Sequence, residues 1–178
     1  MKGIVFTEFL EMVEKGHGYD MVDTIIEEVN PPSGGAYTSI GTYPHSEIVQ
    51  LIISLGQHTN TAVPDLLHSF GRYLFDTFAK NYPSFFEKPS NAFEFFDSID
   101  EYIHVEVLKL YPDAQLPTFE TKLKTDKELH FVYESERKMA MFALGLMEKG
   151  LEYYKEDAEI DMQYVNDDGS RVLFVISK

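Results

Sequence analysis

The amino-acid sequence predicts an α+β fold, with an N-terminal helical region followed by a roughly four-stranded antiparallel sheet that one helix interrupts. Apolar residues recur at intervals of three and four over the first two thirds of the chain, which is typical of amphipathic helices. After Pro117 the apolar residues alternate with polar ones, which is typical of strands. A length of 178 residues suits one domain, 1–178, in which residues 1–60 form a helical region and residues 61–178 form the remainder.

Helical spacing predicts six helices, over residues 3–15, 19–29, 47–56, 64–79, 91–111 and 137–154. Ser46 and Ser90 are expected to be N-caps, and Pro64 suits the first turn of its helix. The longest helix, 91–111, carries an apolar stripe that we expect to be buried along its whole length. It stops before Pro112, because a proline disfavours helical geometry in the residue before it.

Alternating residues predict strands over 118–124, 128–135, 158–165 and 170–177. Thr125-Asp126-Lys127 separates the first two strands and is polar, as a hairpin turn requires. Asp168-Gly169 separates the last two and is a strong turn signal. The helix over 137–154 lies between the two predicted hairpins.

Composition excludes several classes of function. The chain has 30 acidic and 15 basic residues, and its formal net charge of −15 argues against nucleic acid or an anionic membrane as a partner. Cysteine is absent, so disulfides, thiolate metal sites and a cysteine nucleophile are ruled out. No apolar run is long enough to cross a bilayer. We therefore expect a full-length cytoplasmic protein.

Among six histidines, His104 stands out, because it lies on the edge of the apolar stripe of the longest helix. A buried imidazole needs a partner for each ring nitrogen, and a metal ion is one such partner. Glu101 and His104 also match the Glu-x-x-His spacing of di-iron bundles, but Asp65-x-x-His68 is the only near match for a second pair. From spacing alone, a core histidine without a metal remains open.

Tyr133, Ser135 and Arg137 alternate at the end of a predicted strand, so their side chains can project to one side. Two hydroxyls and a guanidinium suit a bound carboxylate or phosphate, because arginine offers a planar pair of donors. A strand end with a capping serine and a solvated arginine is the alternative. The residues themselves leave both interpretations open.

His104 on a long helix, Pro117 thirteen residues later and the Tyr133-x-Ser135-x-Arg137 motif together resemble the haem nitric oxide/oxygen-binding (H-NOX) family. The opening residues 1–5 and the stretch 35–43 are also similar to bacterial stand-alone members of that family. The resemblance extends over essentially the whole chain.

The resemblance implies a haem b group buried in the fold, with residues 1–60 on its distal side and residues 61–178 on its proximal side. His104 would be the axial ligand to the iron, and Tyr133, Ser135 and Arg137 would hold the propionates. Pro117 would press on the macrocycle and help to distort it. Apolar residues expected to line the haem are Val5, Leu74, Phe78, Phe142 and Leu146.

One position implies which gas is bound. Oxygen-binding members of the family carry a distal tyrosine five residues after the motif arginine, where this chain has Phe142, and Leu74 supplies no polar group either. Bound oxygen needs a hydrogen-bond donor, whereas nitric oxide binds without one. The resemblance therefore implies a bacterial sensor, not an enzyme, that binds nitric oxide and carbon monoxide and excludes oxygen. Breakage of the bond between iron and His104 would signal to a separate histidine kinase or diguanylate cyclase.

Two other functions remain as alternatives at this point. The first is a non-haem metal-dependent enzyme that uses Glu101 and His104. The second is an acidic interaction domain without a cofactor, in which His104 is a core residue. An absorption spectrum of the purified protein separates all three possibilities, because only the haem sensor has a Soret band that depends on His104.

Overall fold

The computed structural model describes residues 1–178 and contains helices followed by a four-stranded antiparallel sheet, so the predicted α+β class is confirmed. The α-helices are α1 Gly3–His17, α2 Tyr19–Val29, α3 His45–Thr59, α4 Val63–Asn81, α5 Ser84–Glu87, α6 Ala92–Asp97, α7 His104–Leu110 and α8 Ala140–Tyr153. Short α5 has no counterpart among the predicted elements. None of the helices combines the length and hydropathy that crossing a lipid bilayer requires.

Both predicted N-caps are wrong, and α8 begins three residues after its predicted start at Arg137. Helix α3 already begins at His45, so Ser46 lies inside the helix and Pro44 occupies the N-cap position. At the start of α6 the cap is Asn91 rather than Ser90: the Asn91 side-chain oxygen accepts a hydrogen bond of 2.9 Å from the Glu94 amide. The predicted place of Pro64, in the first turn of α4, is confirmed.

The prediction of one continuous helix over residues 91–111 is wrong. The segment consists of α6, a π-helical turn Ile99–Ile103 and α7, and the His104 amide donates to the carbonyl of Ile99, five residues back. The carbonyl of Ser98 accepts hydrogen bonds from the amides of Tyr102 and Ile103, which widens the turn.

The prediction that the apolar stripe of this segment is buried along its whole length is wrong: Phe93 and Phe96 of α6 are buried, but neither the π-helical turn nor α7 contains a buried residue. Ile103 and Val107 are only partly buried and line a cavity. Val105, Leu108 and Leu110 are exposed.

The strands are β1 Thr118–Lys124, β2 Glu128–Glu134, β3 Glu159–Tyr164 and β4 Arg171–Ser177, in the spatial order β1-β2-β4-β3. All neighbouring strands are antiparallel, and every predicted strand boundary agrees to within one residue. Gly169 has a φ of 76°, which explains why a glycine stands in the turn between β3 and β4. A β-bulge interrupts β1 between Thr121 and Leu123.

The core consists of two clusters of buried residues. Twelve residues from α1 to α4 form the first, and sixteen residues from α4, α5, α6, α8 and the sheet form the second. Helix α4 belongs to both, because Leu74 lies in the first cluster and the adjacent Phe75 in the second. It therefore joins the two halves of the molecule.

Helices α4 and α8 cross at very short range, and two glycines permit the crossing. A Cβ atom added to Gly71 would lie 2.1 Å from the carbonyl oxygen of Phe142, and one added to Gly145 would lie 2.1 Å from the carbonyl oxygen of His68. Both distances are shorter than van der Waals contact allows. The crossing places Leu74 and Phe142 on a shared wall of the cavity described next.

Candidate functional site

A largely apolar cavity of about 270 Å³ lies between the two clusters, and 25 of its 31 lining residues are hydrophobic. All ten residues predicted as site residues line this one cavity: Val5, Leu74, Phe78, His104, Pro117, Tyr133, Ser135, Arg137, Phe142 and Leu146. They come from α1, α4, α7, α8, β2 and two connecting segments. Tertiary structure thus brings together residues that are up to 141 positions apart in the sequence.

His104 presents a free ring nitrogen to the cavity. Its Nδ1 lies 2.8 Å from Asp100 Oδ1, and its side chain is only 17% exposed. Burial lowers the pKa of His104 and outweighs the opposing effect of the Asp100 carboxylate. The imidazole is therefore neutral near pH 7. A proton on Nδ1, beside the Asp100 carboxylate, would leave on Nε2 the lone pair that a metal ligand needs.

Asp100 also connects the His104 segment to the segment that contains Pro117. The other carboxylate oxygen of Asp100 accepts a hydrogen bond of 2.7 Å from the amide of Phe119, two residues after Pro117. One carboxylate therefore contacts both His104 and the start of β1. This contact fixes the position of the imidazole relative to Pro117 across the cavity wall.

The polar end of the cavity contains Tyr133, Ser135 and Arg137. The Tyr133 hydroxyl accepts a hydrogen bond of 3.3 Å from the Met139 amide, and Ser135 Oγ accepts one of 3.2 Å from the Arg137 amide. Burial lowers the pKa of Arg137 and raises the pKa of Tyr133. The half-buried guanidinium pairs with no carboxylate of this chain, and such a cation is well suited to a bound anion.

A second, polar cavity of about 340 Å³ adjoins this end and shares Arg137 with the first. Its wall includes Lys2, whose Nζ lies 2.8 Å from Thr42 Oγ1 and 3.1 Å from Asp113 Oδ1. Thr42 in turn donates a hydrogen bond of 2.6 Å to Asp113. The cluster joins the loop before α3 to the loop after α7, and no sequence pattern indicated it, because these residues come from three distant segments.

Two tyrosines that sequence reasoning also missed, Tyr82 and Tyr111, line the apolar cavity, and their hydroxyls are 3.5 Å apart. Burial, together with the neighbouring Tyr111, raises the pKa of Tyr82 to about 12. Both residues follow the end of a helix, and both precede a proline, Pro83 and Pro112. The Tyr-Pro pair is not a specific signal for them, because Tyr43-Pro44 is a third such pair and Tyr43 does not line this cavity.

The structure offers no support for a metal site built on Glu101. Glu101 is exposed and does not line the cavity, whereas His104 does. Asp65 is exposed as well, and His68 Nε2 lies 2.8 Å from Glu148 Oε2. No group of three or more His, Cys, Asp or Glu residues could hold a metal ion in this chain.

Taken together, an apolar cavity, one free imidazole nitrogen and a cationic rim fit a flat apolar group with a metal at its centre and carboxylates at its edge. Haem has this chemistry: His104 could supply the axial nitrogen, and Arg137 could neutralise a propionate. The residues present therefore fit haem, and the site defines a haem-binding protein.

Comparison with known proteins agrees with this class. The sequence profile of the family described as Haem-NO-binding (HNOB) matches residues 2–162. The chain is 44% identical to the Fe(II) unliganded H-NOX protein from K. algicida, with a TM-score of 0.96, and the match covers 100% of this chain and 96% of that one. No curated protein matches the sequence at a significant level.

Two further solved structures are similar in fold over nearly their whole length. The H-NOX from Shewanella woodyi in the Fe(II)CO state, bound to IWP-051, is 37% identical with a TM-score of 0.86, covering 100% of this chain and 94% of that one. The H-NOX protein from S. oneidensis in the Fe(II)NO state is 25% identical with a TM-score of 0.91, covering 99% and 98%. The chain belongs to the H-NOX family of haem-based gas sensors, and the resemblance identified in the sequence is confirmed.

Proposed function

We propose that this chain is a haem b sensor that binds nitric oxide and carbon monoxide, excludes oxygen and signals to a separate effector protein. The observation that carries the proposal is His104, with no hydrogen-bond partner in this chain at Nε2, in the wall of a largely apolar cavity. Haem would supply a ferrous iron that takes the gas. Tyr133, Ser135 and Arg137 would hold its propionates.

Exclusion of oxygen is supported by the wall that α1, α4 and α8 contribute to the cavity. Its predicted haem contacts, Val5, Leu74, Phe78, Phe142 and Leu146, are hydrocarbon side chains without a hydrogen-bond donor. The hydroxyls of Tyr82 and Tyr111 lie within hydrogen-bonding distance of each other. Oxygen on ferrous iron draws negative charge and is stabilised by a donor, whereas nitric oxide needs none.

The proposed signal starts at His104. Nitric oxide binding would weaken and break the bond between iron and Nε2, and this would release α7 and the π-helical turn from the cofactor. Because Asp100 contacts both His104 and the amide of Phe119, this movement would reach the start of β1. A histidine kinase or a diguanylate cyclase is the class of effector that the family resemblance suggests, and that suggestion is an analogy.

The test is an absorption spectrum of the reduced protein under argon, nitric oxide, carbon monoxide and air. We expect a Soret band that shifts with nitric oxide and with carbon monoxide, and no stable oxygen complex in air. A colourless protein from haem-supplied cells would contradict the haem assignment. A stable spectrum of an oxygen complex would contradict the exclusion of oxygen while leaving the haem assignment intact.

Replacement of Pro117 by Ala tests the proposed distortion of haem. Removing the ring that lines the cavity should flatten the macrocycle and weaken the out-of-plane modes in the resonance Raman spectrum. The variant should also resemble the nitric oxide form in its effect on the effector. Unchanged Raman modes and an unchanged effector response would show that Pro117 does not press on the haem.

A further inference from the structure

The outer face of the sheet carries apolar side chains that belong to neither core cluster, and their exposure ranges from 8% for Val132, which is buried, to 39% for Leu123. Alternate residues of β2 and β4 point inward and belong to the second buried cluster. The apolar residues between them point the other way and belong to neither cluster. We call the set the outer sheet patch, and it comprises Leu123, Val132, Leu173 and Val175 around His130.

Strand register makes this patch continuous. His130 pairs with Leu123 on one side and with Val175 on the other, which forms one row across the sheet. Val132 pairs with Leu173 in the adjacent row. Neighbouring rows of this kind hold side chains in contact across strands.

The β-bulge in β1 enlarges the patch. Thr121 pairs with Phe131 and Leu123 with His130, so Lys122 is the extra residue and the alternation reverses after it. As a result Leu123 points outward and is 39% exposed. Lys124 points inward, where its Nζ lies 2.7 Å from Asp97 Oδ2. Without the bulge, the leucine would face inward and the lysine outward.

Acidic residues surround the patch. The same register directs five carboxylates to the outer face, and the cations at this face are Lys122 and Arg171. Lys122 pairs with Glu120, and Arg171 Nε lies 3.8 Å from Glu134 Oε2. The five acidic residues are Glu120, Glu128, Glu134, Glu159 and Asp161.

We propose that the outer sheet patch docks the effector protein, through a partner surface with an apolar centre and a rim of Lys and Arg side chains. Such a partner complements both the apolar rows and the acidic rim. A second copy of this chain would place two acidic rims against each other, which disfavours a homodimer there. This inference rests on the proposed function, because it requires a separate effector.

The docking face is physically connected to the cavity. Tyr133 lines the cavity on the inner side of β2, and the adjacent Val132 lies on the outer side. Phe119 is the second residue of the bulged strand β1, and its amide donates a hydrogen bond to Asp100, which lies beside His104. A shift of the His104 segment would therefore move strands that carry the patch.

The experiment measures the affinity of the haem-loaded full chain for the purified histidine kinase or diguanylate cyclase of the same organism, by biolayer interferometry at two salt concentrations. Leu123→Asp should weaken binding by about tenfold or more, because it places a charge in an apolar centre. Asp161→Lys should weaken binding less and reduce its dependence on salt. The matched control is Ile53→Asp on α3, an exposed leucine-sized residue at 41% exposure.

Equal affinities of wild type and Leu123→Asp, or an equal loss in Ile53→Asp, would overturn the inference. So would failure of the wild type to bind either effector, while the absorption spectrum would still decide the proposed haem function. A wild-type dimer in gel filtration that Leu123→Asp turns into a monomer would assign the patch to a second copy, against the proposal. Soret spectra and thermal midpoints of the variants show whether they fold.

Discussion

The two walls of the haem cavity are built very differently. One wall, which we call the glycine wall, consists of α4 and α8, two long regular helices that cross at Gly71 and Gly145 without room for a Cβ atom. The other, the histidine wall, consists of the π-helical turn, α7 and the segment to Pro117, and its helical turns contain no buried residue. A few polar contacts, above all those of Asp100, hold it in place.

The contrast between the two walls indicates which region of the molecule is suited to move. Close backbone packing makes the glycine wall costly to deform, because protein cores resist small displacements. The histidine wall has few buried contacts, and elements of that kind have the lowest free energy of local opening. A sensor of the proposed kind needs one wall that holds the ligand pocket and another that responds to the gas.

The largest expected effect comes from removing His104, which is the predicted iron ligand in the histidine wall. His104→Gly should abolish histidine ligation of the haem, because no other imidazole lines the cavity. The measurement is the Soret spectrum of the reduced protein, with imidazole added to restore it. His17→Ala, on the exposed end of α1, is the control that should retain the wild-type spectrum. An unaltered spectrum of His104→Gly would refute the assigned ligand.

The next largest effect concerns Phe142 on the glycine wall, at the predicted position beside the bound gas. Phe142→Tyr introduces a hydroxyl into an apolar wall, and one hydrogen bond to bound oxygen should slow its dissociation by a factor of about ten or more. Stopped-flow measurement of oxygen release from the reduced protein checks this. Met141→Leu, on the same helix but outside the cavity lining, should leave oxygen binding as weak as in wild type. No gain of oxygen binding in Phe142→Tyr would show that Phe142 lies too far from the gas.

A smaller effect tests the stiffness of the glycine wall itself. Gly145→Ala would place a methyl group 2.1 Å from the carbonyl oxygen of His68, so the helices must separate, and we expect a loss of roughly 1–3 kcal/mol in the free energy of unfolding. Denaturant unfolding measures it. Gly16→Ala on α1, where a Cβ atom would meet nothing within 4 Å, is the matched control and should not destabilise the fold. Equal stability of both variants would mean that the crossing adapts freely.

The smallest effect tests the polar contacts of the histidine wall. Asp100→Asn keeps a hydrogen-bond acceptor for the Phe119 amide but removes the charge beside His104, and we expect a loss of about 1 kcal/mol in the free energy of unfolding. The stretching frequency of the bond between iron and histidine should fall, because the imidazole becomes a weaker donor. Asp97→Asn, which contacts Thr121 and Lys124 away from the ligand, should leave that frequency unchanged.

Local residues were enough to predict most of the elements. The change of period after Pro117, the turn at Asp168-Gly169 and Pro64 at the start of a helix indicated where each element lies, and the strand boundaries agree to within one residue. The single helix over 91–111 was wrong, because its period suits a continuous helix. The carbonyl of Ser98, which accepts from two successive amides, widens one turn without a change in composition.

Periodicity and turn residues are local signals, and they were enough to predict the fold class. The spaced motif was enough to indicate the family, and the ten residues expected around the haem followed from that resemblance. Packing of distant segments was needed to show that those ten residues line one cavity and that Asp100 contacts both His104 and the Phe119 amide. It was also needed to show that the bulge turns Leu123 outward. These features depend on how distant segments pack against each other, and no short stretch of sequence contains that information.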